Sequence, residues 1–88
     1  MLPLNYAILH YMTTVPEACA DDIITALSPS YQGFSAFTPK AITEALLTAE
    51  VNGLLEQTRW TINDQGDLRL FFRAHSEGKA TILRYIHP

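Results

Sequence analysis

The chain has one cysteine, four glycines and five prolines in 88 residues, and no Lys or Arg before position 40. Each shortage excludes something. Cys19 has no second cysteine with which to close an internal disulfide, so a reducing, cytoplasmic setting is the expectation. So little glycine and proline argues against a linker or a disordered tract. No apolar run approaches the roughly 20 residues of a membrane span. The opening MLPLNYAILHYM has neither the basic start nor the small-residue cleavage site of a secretory leader. Cations are confined to one half. Residues 1–39 carry three acids and no cation, whereas residues 40–88 carry all six cations and six acids. The formal net charge is −3, and nucleic-acid binders usually carry a basic excess. A phosphate-facing surface would have to come from the second half.

What the chain does have is apolar content: 48% of residues, including four Phe, four Tyr and one Trp. That is enough for one compact core, and a single domain over residues 1–88 is expected. There are no internal repeats. Tyr6, Ile8, Leu9 and Met12 follow Asn5 at helical spacing and predict a first helix over about 5–14, stopped at Val15-Pro16. Ile23, Ile24 and Leu27 predict a second over about 18–28. Asp21 and Asp22 favour its N-terminal end, and Ser28-Pro29-Ser30 should close it. The aromatics Tyr31, Phe34 and Phe37 then lie in a loop over 29–37 that should fold back onto the core. The third helix has the clearest bounds. Thr38 suits the cap, Pro39 the first turn and Gly53 the residue just past the end, with Ile42, Ala45, Leu46 and Ala49 inward.

Two strands follow. Thr58, Trp60 and Ile62 alternate on the first and Leu68, Leu70 and Phe72 on the second. A three-residue loop of Asp64, Gln65 and Gly66 pairs Ile62 with Leu68 and Trp60 with Leu70, which puts both apolar sets on one face; a two-residue loop would set Ile62 against Arg69. On that register Trp60 reads as core, with stacking on a base as the sharper alternative. Arg59, Thr61, Arg69 and Arg73 project from the other face. Ser76 should cap a last helix over about 76–86, with Ile82, Leu83 and Ile86 inward. The fold class is α+β and mostly helical.

Catalytic signals are sparse. Adjacent Asp21 and Asp22 point to different sides of a helix, and their position at its start explains them. No base is placed near Cys19 by sequence, and it reads as an ordinary semi-buried thiol. His10, His75 and His87 form none of the paired spacings of familiar metal sites. There is no glycine-rich phosphate loop and no nucleophile elbow. The expectation is a non-enzymatic protein with no cofactor and no metal.

The run Leu46, Ala49, Gly53-Leu54-Leu55-Glu56, the turn Asp64-Gln65-Gly66, then Arg69-Leu70-Phe71-Phe72 and Arg73-Ala74-His75-Ser76-Glu77-Gly78, resembles a winged helix-turn-helix of the PadR/MarR type. The resemblance implies a three-helix core, a two-stranded wing and a short C-terminal helix. It also implies a small transcriptional regulator that binds double-stranded DNA, usually as a homodimer through its last helix. On it, the groove-facing positions are Lys40, Thr43, Glu44, Leu47, Thr48 and Val51, and the wing contacts are Arg59, Arg69 and Arg73.

Two observations support an alternative. The connection between the second and third helices counts about ten residues, long for a simple helix-turn-helix. Among the groove-facing positions, Glu44, Leu47 and Val51 outnumber a single cation, and Leu47 and Val51 one turn apart suit a protein partner. That alternative is a winged-helix interaction module or adaptor without DNA binding. A third reading has Leu47 and Val51 packed under Tyr31, Phe34 and Phe37. The wing arginines have a plain reading as well, as solubilising residues paired with Glu56 or Asp67.

Overall fold

The computed structural model describes all of residues 1–88. Its elements run α1 (Leu4–Met12), α2 (Ala20–Tyr31), α3 (Pro39–Val51), β1 (Glu56–Ile62), β2 (Leu68–Arg73) and α4 (Ser76–Tyr85). Three helices, an antiparallel hairpin and a short last helix make an α+β protein with the layout of a winged helix. No helix is long and apolar enough to cross a membrane.

The third helix keeps its expected bounds for the expected reasons. The Thr38 hydroxyl accepts from Ala41 N–H, Pro39 occupies the first turn, and Gly53 takes φ +78° beyond the end. Ile42, Leu46 and Ala49 are buried. The hairpin register is also as expected, with Ile62 opposite Leu68 and Trp60 opposite Leu70. Gly66 closes its turn at φ +82°.

Elsewhere the structure departs from the expectations. The first helix starts from Pro3, not Asn5, and ends at Met12, where the Thr13 and Thr14 hydroxyls donate to the carbonyls of His10 and Tyr11. The second helix runs through Pro29 to Tyr31. A proline in the final turn forfeits one backbone bond, and the buried Tyr31 offsets that loss by donating its hydroxyl to the Leu2 carbonyl. The connection to α3 is therefore residues 32–38, shorter than the ten anticipated. Tyr31 and Phe34 meet edge to face with centroids 5.4 Å apart, although Phe34 stays 48% exposed. At the last helix, His75 rather than Ser76 is the cap, its Nδ1 accepting from Gly78 N–H. Leu83, expected to face inward, is exposed, while Ile82 and Ile86 are buried.

Two features of the sheet had no sequence signal. Ala18 and Phe72 exchange both backbone hydrogen bonds, each at 2.9 Å, so the stretch before α2 lies along the β2 edge like a one-residue third strand. A bulge at Thr58 then places Gln57 opposite Phe72 and Arg59 opposite Phe71. Phe72 thereby enters the core with Ile8, Met12, Ile23, Ile42, Leu46, Leu55 and Ile82.

Candidate functional site: the outer face of α3 and the wing

The side of α3 that faces away from the core carries the positions singled out by sequence, and two of their four polar side chains, Thr43 and Thr48, are already engaged. The Thr43 hydroxyl donates to the Pro39 carbonyl at 2.8 Å and the Thr48 hydroxyl to the Glu44 carbonyl at 3.0 Å. Both have turned back onto their own helix. Lys40 is exposed and has no carboxylate within ion-pair distance. Glu50 accepts from Gln57 N–H at 3.0 Å, tying the end of α3 to the start of β1. Val51 is 85% exposed and Leu47 36%. At that exposure Val51 is not packed under the aromatic loop.

All three wing arginines are neutralised. Arg73 pairs with Glu56, its direct cross-strand neighbour, as the plain sequence reading allowed. The other two reach acids that local sequence did not suggest. Arg59 donates from Nε to Glu17 Oε1 at 2.8 Å, and its guanidinium carbon sits 3.8 Å above the Phe71 ring. The Thr58 hydroxyl holds the second oxygen of Glu17 at 2.7 Å. Thr58 therefore serves the arginine side of the wing, not the apolar side expected for it. Arg69 Nε stands 2.8 Å from Asp21 Oδ2. Its N–H is nevertheless buried without a hydrogen-bond acceptor. The pair meets by distance and charge but not along the N–H direction, so it lacks the added strength of a charge-assisted hydrogen bond. Both partner acids come from the segment around the α2 start. The Ala18–Phe72 bridge holds that segment against β2.

The Thr58 hydroxyl and then Arg59 hold the Glu17 carboxyl below its ordinary value of 4.5. Because the folded value is depressed, the stabilisation it brings is full above the unfolded value and is lost as pH falls through the folded one. Urea melts of wild type and Glu17→Gln are expected to differ by a constant amount above about pH 5, with the gap closing below pH 4.5. A gap that widens on acidification would refute the clamp.

Cys19 caps α2 together with Asp22, whose carboxylate accepts from Cys19 N–H at 3.0 Å. A helix N-terminus ordinarily favours a thiolate, but burial outweighs it here, and the thiol is pushed above its ordinary value. Cys19 is thus a packing group, protonated at neutral pH. No group of three His, Cys, Asp or Glu side chains comes together in a way that could hold a metal.

Sequence reasoning missed the wing's apolar side. Trp60, Ile62 and Leu68 share the face that carries Phe72, yet they are 62%, 54% and 58% exposed. The expectation that Trp60 belongs to the core is overturned. Alternation assigns a residue to a face but not to a position along the hairpin, and this hairpin projects beyond the helices. Its base (Phe72) reaches the core, Leu70 is half covered, and the outer residues are left bare. A cleft of about 300 Å³ lies below, lined by Pro39, Thr43, Leu68, Leu70, Asp21 and Arg69 among others.

No protein-family model matches this chain, and no curated protein sequence matches it.

Proposed function

We propose that this protein is a winged-helix contact module, non-enzymatic and cytoplasmic, that binds protein through the α3–wing face and has little affinity for duplex DNA. The observation that carries this reading is the neutralisation of Arg59, Arg69 and Arg73 by Glu17, Asp21 and Glu56. Duplex affinity comes largely from cations that displace counterions from phosphate. With those three engaged, Lys40 is the only free cation among the positions assigned to DNA. One face of the wing exposes Trp60, Ile62 and Leu68 together. Monomeric proteins seldom leave such side chains grouped without a partner.

The test is to free the arginines. Replacing Glu17 and Glu56 by Gln and Asp21 by Asn brings the formal charge from −3 to neutral. In fluorescence anisotropy at low salt, wild type should show no saturable binding to a labelled duplex. The triple variant should gain salt-sensitive binding, with a log–log slope of up to about −2.7 if each guanidinium meets one phosphate at about −0.9 apiece. Saturable wild-type binding that weakens steeply with salt would overturn the proposal.

A DNA-binding regulator of the PadR/MarR type is the second reading. Its support is the winged-helix layout, with Lys40 and Thr48 exposed on α3 and ion pairs on the wing that are individually weak and open to displacement by phosphate. On that reading Arg69→Ala lowers affinity for every duplex alike, whereas substitution of Thr43 or Thr48 changes sequence preference.

A further inference from the structure

The wing's apolar face and a groove between α1 and α4 have complementary chemistry. On the wing, Trp60, Ile62 and Leu68 are more than half exposed on one face. Beside them the turn carries Asp64 and Asp67, neither of which has a cation within ion-pair distance. The groove, about 180 Å³, lies between α1 and α4 and is lined by Tyr6, Leu9, Leu54, Ile82, Tyr85 and Ile86, with Thr81 the single polar residue. Tyr85 is 70% exposed and Tyr6 50%. Lys79 and Arg84 of α4 are likewise without carboxylate partners, and the Arg84 guanidinium carbon sits 5.4 Å over the Tyr85 ring. Glu77 in the first turn of α4 is also exposed and unpaired, so one surface is apolar with an acidic margin, and the other is apolar and aromatic with a margin of two cations and one acid. Within one molecule they do not meet, since none of Trp60, Ile62 and Leu68 lines the groove.

We infer that the occupant of the groove is the wing of a second copy of this chain. The inference rests on the protein-contact reading and names its partner. Charge decides among the self-pairings. Wing against wing sets Asp64 and Asp67 of two copies together, and groove against groove brings together two margins that are each net positive, with Lys79 and Arg84 against the single Glu77. Only wing into groove joins opposite charges at the margins while covering apolar surface on both sides. Trp, Tyr and Arg are also the side chains that most often anchor protein interfaces. The pairing differs from dimerisation of last helix against last helix, which would seat α4 on α4. Because its two halves are unlike, it forms chains or rings unless two copies exchange wings reciprocally.

The test uses two variants of the full chain, Trp60→Asp with an intact groove and Tyr85→Asp with an intact wing. Both sites are exposed, and circular dichroism checks that each variant folds. In sedimentation velocity, wild type should associate, and each variant alone should weaken association by at least about 30-fold, the loss typical of an interface anchor. Mixed in equal amounts, the two should recover a complex, because one good wing and one good groove remain. In that mixture the only Trp is Trp60 of the Tyr85→Asp copy, and its emission should shift to the blue as it enters the groove. Asp67→Lys combined with Arg84→Glu gives an independent check, each weakening association alone and restoring it when mixed. The inference is overturned by a wild type that stays monomeric at hundreds of micromolar, by a mixture that does not associate, or by association that Tyr85→Asp abolishes and Trp60→Asp leaves intact. Those results leave the protein-contact reading to the duplex assay, where binding by wild type is what would sink it.

Discussion

Gly78→Ala is expected to lower the melting temperature by about 8–16 °C, although in an ordinary helix the same change would raise it. Alanine is the better helix former by about 1 kcal/mol. Position 78 sits in the first turn of α4, and a β-carbon there would stand 1.9 Å from the Leu54 carbonyl oxygen and 2.7 Å from its carbon. These are backbone atoms between α3 and β1, so rotation of a side chain cannot relieve the clash. Moving α4 away would uncover Ile82 and Ile86, which are 2% and 7% exposed. Overpacking of this severity costs roughly 3 kcal/mol, and after the gain in helix propensity a net loss of about 2 kcal/mol remains. At 4–8 °C per kcal/mol for a domain of this size, the temperature range follows. A thermal melt decides the sign, and a higher melting temperature would show that α4 does not rest on Leu54.

Phe72→Ala is the second large effect, a loss of about 3–5 kcal/mol in urea denaturation. A domain of this length has roughly 4–13 kcal/mol in total, so the variant stands near the limit of folding. Phe72 has no exposed surface and is among the largest fully buried side chains. Its backbone also carries the two bonds to Ala18 that hold the Glu17–Asp21 segment beside the wing. Trp60→Ala is the control. It removes a larger aromatic from the same face of the hairpin, but from a position 62% exposed, and changes of that kind usually fall within about 0.5 kcal/mol. Equal losses for the two variants would mean that the wing lies down on the helices and that Trp60 is not free to meet a partner. The comparison therefore bears on function as well as stability.

Much of the framework was legible because its causes are local. Thr38, Pro39 and Gly53 bound α3 through a cap, a fixed φ and a left-handed residue, all within one or two turns. Gly66 and the alternation on either side of it set the hairpin register, because a slip of one residue would exchange the two faces of a strand. Pro29 was misread for the opposite reason. Its local tendency ends a helix, but Tyr31 two residues on is fixed from outside the segment, by Leu2 at the other end of the chain. Leu83 departs in a similar way, since α4 buries only the narrow stripe of Gly78 and Ile82, continued by Ile86 just past its end.

The candidate site was legible by residue and not by state. Lys40, Arg59, Arg69, Arg73, Leu47 and Val51 all lie on the surface, as their sequence positions suggested. That the arginines would be neutralised was visible only for Arg73, whose acid is the neighbour across the hairpin. Glu17 is 42 residues from Arg59 and joins it only because Ala18 bridges to Phe72. A one-residue bridge leaves no periodicity to read.

The sequence by itself determined the order of elements, the bounds of α3, the strand register next to the turn and the absence of cations from the first half, because each depends on backbone chemistry or composition close at hand. Tertiary structure alone decided which acids reach the wing, why residue 78 must lack a side chain, and how far the hairpin projects past the core. Those are distances between segments remote along the chain, and they decide whether an arginine is free for phosphate and whether a tryptophan is buried or offered to a partner.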